Sequence, residues 1–211
     1  RLRIGHDEHV ESGLQDQQDG ISVRKREGLI TSWSVHKPHG LTRLRVFASV
    51  RDRSKGFLVA GGAVFPCALG RSGIVVLKRE GDGGTPRAAL PLRSVLYRKA
   101  RLPRPRTLLP LRAITPRDAW CDDAGDRRYN RLIARPPGVA EERLQREDHL
   151  YAVSVELGWN DAPVIRGRGS AIFWHLARAG FTPTAGCVAV EGHVFAKVLP
   201  RLARHCVMVV R

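Results

Sequence analysis

At 211 residues the chain has the length of one medium domain, and a 43% hydrophobic share supplies a core of ordinary size. The 36 Lys and Arg against 20 Asp and Glu leave a formal charge of +16, which draws polyanions such as nucleic acid, an anionic membrane or an acidic cell-wall polymer without choosing among them. Cys67, Cys121, Cys187 and Cys206 form no C-x-x-C pair and are too sparse for a disulfide-stapled secreted domain, and no apolar run has the ~20 residues of a membrane span or forms the core of a signal peptide.

Residues 1–42 are polar and show no sustained period of 2 or 3.6; Lys37-Pro38-His39-Gly40 is a turn signal near their end. They are expected to form a polar tail, in expectation disordered, with residues 43–211 as one folded domain. His6-Asp7-Glu8-His9 is four polar residues in that tail, and we read no functional metal site there.

From Thr42 the pattern turns to β. Leu44, Val46, Ala48 and Val50 alternate with polar residues, which marks a half-buried strand. Phe57–Ala60 and Ala63–Phe65 flank Gly61-Gly62 as a hairpin, and Cys67 continues the apolar run as a packing residue. Ile74–Leu77 is a further short strand. The loop Lys78–Pro86 is rich in glycine but lacks G-K-[ST] and G-x-G-x-x-G, so a solvated turn is favoured over a phosphate cradle. Leu90–Tyr97 is strand-like, and four prolines make residues 101–117 an extended surface excursion. Residues 120–131 are a polar and aromatic patch containing Trp120, Cys121, Asp122, Tyr129 and Asn130. Cys121 has no base near it in sequence. Glu141–Asp148 is expected to make one or two helical turns. His149–Leu157 alternates as a strand, and Gly158–Asp161 turns.

The segment Gly169–Val190 carries the strongest chemical signal. A short apolar strand, Ala171–Trp174, delivers His175, and a loop holding Gly180 and Pro183 leads to Gly186-Cys187 and a second apolar run. A thiol of pKa ~8.5 becomes a nucleophile when an imidazole takes its proton. Glycine before the cysteine permits a strained turn and close approach of a substrate, and the Cys187 amide is a natural oxyanion donor, a group worth roughly 2.7–4 kcal/mol in a transition state. A buried packing cysteine and a core histidine remain the alternative. A short helix over Glu191–Leu199, which Pro200 terminates or kinks, and a closing strand Cys206–Val210 complete a mostly β chain with minor helices, spaced as a β-sandwich or partly closed barrel.

His175-Leu176-Ala177-Arg178 followed by Thr182-Pro183-Thr184-Ala185-Gly186-Cys187-Val188-Ala189 resembles the active-site segment of the L,D-transpeptidase (YkuD-like) catalytic domain. The resemblance extends over about residues 43–211. It includes Thr85-Pro86 after the glycine loop, with Ala88 where the family has glycine, and Trp120-Cys121-Asp122-Asp123 with Tyr129-Asn130. It implies a cysteine acyltransferase of the bacterial periplasm or cell envelope that needs no cofactor and no metal. Cys187 would open a peptidoglycan tetrapeptide stem with loss of its terminal D-alanine, His175 would be the base, Gly186 and Cys187 the oxyanion donors, and Thr184 would orient the loop or His175. Arg178, Thr85, Tyr129, Asn130 and Asn160 are expected to contact the substrate.

Two departures are visible. Better-known members have Ser-His-Gly-Cys, with Arg two residues after the nucleophile, where this chain has Thr184-Ala185-Gly186-Cys187 and Ala189; Arg178 is the candidate replacement cation. The acyl acceptor is left open between an amine and water. The competing classes are a non-enzymatic basic module binding peptidoglycan or nucleic acid, and a structural zinc site using His175, Cys187, His193 and Cys206, whose spacing fits no finger. Aromatics at 6% show no nucleic-acid-binding pattern, so no nucleic acid is expected as partner.

Overall fold

Alternation in the first strand sets the geometry of the whole chain. In the computed structural model, which describes residues 40–134 and 141–211, β1 (Leu41–Ala48) turns Leu44 and Val46 fully inward and Arg43 and Arg45 outward. The expected N-terminal tail lies outside the described residues up to position 39. β2 (Lys55–Ala60) and β3 (Ala63–Ala68) form the expected hairpin. Gly61 and Gly62 both sit at positive φ (56° and 88°), the requirement of a two-residue turn that follows the strand twist.

β4 (Ile74–Val75) pairs in parallel with β5 (Thr85–Pro86) and stops after two residues, because its partner is equally short. Val76 and Leu77, expected to continue it, are exposed. β6 (Ala89–Tyr97), β7 (Leu111–Ala113), β8 (Asp118–Cys121), β9 (Arg131–Ala134) and β10 (Glu141–Arg143) follow. Then come β11 (Val153–Leu157), β12 (Phe173–Leu176), β13 (Val188–Val190), the helix α1 (Gly192–Val198) and β14 (Leu202–Val210). No helix among the described residues is long and apolar enough to cross a membrane.

The mostly β expectation holds. Strands run β11-β12-β13-β3-β2-β1-β14-β6 around a barrel that β6 closes by pairing back onto β11, with β7 alongside β6. Closure removes the sheet edges that an open sandwich would expose. A second sheet, β10-β8-β9, stands outside the barrel. The start of the run Glu141–Asp148, expected to be helical, is instead β10, antiparallel to β8 with Glu142 opposite Trp120. Ladder bonds to β8 outweigh the weak helix preference of so short a charged run.

Two apolar clusters share β12 as a wall. Inside the barrel, Trp174 and Leu176 meet Val188, Val190 and the helix residues Val194, Phe195 and Val198. Trp174 stacks on Phe195 with centroids 4.3 Å apart. On the other face, Phe173 joins Trp120, Leu144, Leu150, Tyr151 and Cys187 beneath the small sheet. Period-two alternation therefore sends Trp174 into the core and His175, beside Phe173, to the outside of the barrel wall.

Candidate active site

His175 and Cys187 are brought together by the parallel pairing of β12 with β13. The register places Trp174 opposite Val188 and His175 opposite Ala189, so Cys187 enters β13 level with Phe173. The sulfur accepts the Phe173 N–H at 3.3 Å, and the thiol donates to the Ala171 carbonyl at 3.3 Å. Thiol and imidazole lie on one face of adjacent strands and line the same cavity of about 360 Å³.

Local sequence explains the turn that carries the cysteine. Gly186 has φ 144°, and a Cβ there would meet the Gly84 carbonyl oxygen at 2.8 Å, so only glycine fits. Thr184 Oγ1 donates to the Cys187 carbonyl at 2.7 Å and accepts the Gly186 N–H at 3.1 Å, closing the turn on itself. The Thr184 backbone is tied in turn to Leu69 and Arg71. Because the Gly186 N–H is committed to Thr184, it is not a free oxyanion donor. Of the two amides expected to be oxyanion donors, the one at Gly186 is engaged within the turn.

The imidazole is held through one of its nitrogens. His175 Nδ1 lies 2.8 Å from the Leu176 carbonyl. A carbonyl only accepts, so a neutral ring carries its proton on Nδ1 and leaves Nε2 with a free lone pair. Burial pushes the His175 pKa down to about 4 and the Cys187 thiol up to about 12. Burial thus favours a neutral imidazole and a neutral thiol in the one cavity.

Charges of both signs line the cavity. Glu80, Asp122 and Glu142 supply carboxylates, and Arg71, Lys78, Arg146 and Arg178 supply cations. Lys78 is 3% exposed, its ammonium held by Asp82 at 2.6 Å and the Arg79 carbonyl at 2.7 Å. The glycine loop expected to be a solvated turn therefore walls the site. Asp122 Oδ1 is buried without a hydrogen-bond partner among the described residues, and burial raises the Asp122 and Glu142 pKa values. Arg178 is exposed at the cavity wall.

The other expected substrate contacts fall outside the cavity lining. Thr85 is fully buried, and its hydroxyl accepts the Gly70 N–H at 2.8 Å. Tyr129 gives its hydroxyl to Glu80. Asn130 accepts the indole N–H of Trp120 at 2.9 Å and donates to the Trp159 and Asn160 carbonyls. Asn160 clamps its own loop through Ile165 and Gly169. These four hold the walls in place with their polar groups already used. The zinc alternative also fails on geometry: Cys206 is buried in the barrel core, and exposed His193 pairs with Glu191.

Sequence reading missed Lys78, Glu142, Arg146 and Tyr151 as site residues. They come from three separate stretches and meet only through the fold, and only the clustering of charge in 78–82 and 141–148 offered a signal.

A family model described as the L,D-transpeptidase catalytic domain matches residues 44–205. No curated protein and no solved structure matches the chain.

Proposed function

The chain belongs to the L,D-transpeptidase catalytic-domain family, whose members are cysteine-dependent enzymes acting on peptidoglycan peptides, and from that membership we propose that it is an acyltransferase of the bacterial cell envelope with Cys187 as nucleophile. The observation that carries the reading is the one cavity lined by both Cys187 and an imidazole whose Nδ1 is pinned to Leu176. Cys187 Sγ attacks the carbonyl of the L-centred residue that precedes the terminal D-alanine of a tetrapeptide stem. His175 Nε2 takes the thiol proton and delivers it to the amine of the departing D-alanine. A thioester remains on Cys187. An amine of a second stem then attacks that thioester, loses its proton to His175, and the thiol is restored.

The Cys187 N–H is the oxyanion donor in both steps. Arg178, at the cavity wall, faces the carboxylate of the stem, and Glu142 and Asp122 face its ammonium groups. Thr184 and Gly186 shape the turn that aims the sulfur.

Incubation with a disaccharide-tetrapeptide tests this. Release of free D-alanine together with a cross-linked dimer is expected; D-alanine with tripeptide alone would mean that water is the acceptor and the protein is a carboxypeptidase. No D-alanine at any pH between 6 and 9 would overturn the tetrapeptide reading.

A further inference from the structure

Tyr151 has no part in the chemistry just described, yet it touches the base. Its ring stands edge-on to His175 at 5.3 Å and 87°, and edge-on to Phe173 at 5.7 Å. It lines the catalytic cavity and is 6% exposed. The turn that carries it is stitched to the end of β12: the Leu176 N–H donates to the Leu150 carbonyl at 3.1 Å, and His149 Nε2 lies 3.0 Å from the Ala177 carbonyl. Asp148 receives the Leu150 N–H and closes the same turn.

The far side of the phenol is held as well. Burial first, and then the neighbouring Cys187 and Glu142 of β10, hold the Tyr151 phenol well above its ordinary pKa. Arg146 pairs with Glu142 at 3.3 Å and with Asp148 at 2.9 Å, and its guanidinium lies 5.9 Å from the Tyr151 ring centroid. Arg146, Glu142, Tyr151 and His175 thus form one contiguous chain from the small outer sheet to the barrel wall.

We propose that Tyr151 is the positioning residue for the catalytic base: its ring, anchored by Glu142 and Arg146, holds the His175 imidazole in the one orientation that aims Nε2 at Cys187. The Leu176 carbonyl fixes which nitrogen carries the proton, but a single hydrogen bond does not by itself set the tilt of the ring against swing. A perpendicular aromatic wall removes the swing, and edge-to-face contacts of this kind are worth more than the area they bury. The inference rests on the reading of Cys187 and His175 as the reactive pair.

Alkylation of Cys187 by iodoacetamide, followed by peptide mass spectrometry across pH 5 to 9, tests the positioning without any peptidoglycan substrate. An aligned neutral base gives a rate nearly independent of pH in this range, whereas an unaided thiol reacts only as thiolate and gains about tenfold per pH unit. The charged groups facing the pair are Glu142 and Lys78 around the sulfur, and Arg178, Arg146 and Asp148 around the imidazole; none of the carboxylates or cations among them is replaced in the variants used. Tyr151→Phe keeps the ring and is expected to retain the flat profile, with a rate two- to threefold lower. Tyr151→Met is expected to show the sloping profile and about 100-fold slower reaction at pH 7.

A folded Tyr151→Met protein with a flat profile would overturn the proposal. A sloping profile in the unaltered protein would instead bring down the Cys187–His175 reading itself. Should Tyr151→Met not fold, NMR of the unaltered chain decides. Contacts between Tyr151 and His175 ring protons, with a single Nδ1–H tautomer, support positioning, and the absence of either contradicts it.

Discussion

Trp174 and His175 are neighbours on one strand and both are buried, at 0% and 5% exposure, yet they live in different media. Trp174 faces a barrel interior of aliphatic side chains and stacks on Phe195. His175 faces a cavity lined by three carboxylates and four cations. The alternation of β12 thus turns one neighbour into the barrel core and the other toward a charged cavity. Depth alone does not distinguish them; what the side chain meets at that depth does.

Substitutions on the two faces are expected to fail in different ways. On the cavity face, Cys187→Ala removes the proposed nucleophile and is expected to cut D-alanine release by at least roughly 10³-fold while the midpoint of urea unfolding stays close to that of the parent. A large loss of stability there would erase the contrast. On the core face, Trp174→Ala is expected to cost about 3–5 kcal/mol, a large part of the ~5–15 kcal/mol that holds a domain together; the urea midpoint reads it.

The medium around His175 also leaves a mark on stability. Its pKa of about 4 in the folded protein lies below the ordinary 6.5, so between those values the unfolded chain binds the extra proton. Stability contributed by the neutral buried ring is present in full above pH 6.5 and is lost as pH falls toward 4, by roughly 3 kcal/mol at most. Thermal unfolding of the parent and of His175→Asn over pH 4–7 is expected to show a shallower decline in the variant. Parallel declines would mean that His175 is not held neutral by burial.

Smaller effects sharpen the same contrast at the turn. Gly186→Ala forces a Cβ to 2.8 Å from the Gly84 carbonyl at φ 144°, and is expected to cost about 1–3 kcal/mol together with about tenfold in D-alanine release. Thr184→Val frees the Gly186 N–H and loses the bond to the Cys187 carbonyl, an expected loss of about 1 kcal/mol with a several-fold fall in rate.

The sequence made the barrel legible where local pattern decides it: the alternation of β1 and the Gly61-Gly62 hairpin both appear in the structure, whereas α1 already ends at Val198 and a 3-10 turn, Leu199–Arg201, carries the chain through Pro200. His175 and Cys187 were legible because one parallel pairing joins a single stretch of chain. Glu142, Arg146, Lys78 and Tyr151 were not, since tertiary packing gathers them from segments whose own pattern reads as charged loop or strand. Asn130 and Asn160 show the converse case. Polar residues in loops look like ligands for a substrate, but here the buried Trp120 indole and loop backbone groups already engage them.

Intact-mass spectrometry of the protein mixed with a disaccharide-tetrapeptide, beside a Cys187→Ala control, tests the central claim most directly. The account predicts an adduct equal to the donor minus D-alanine, located on Cys187 and absent from the control. The same adduct on the control, or on another cysteine, would contradict it.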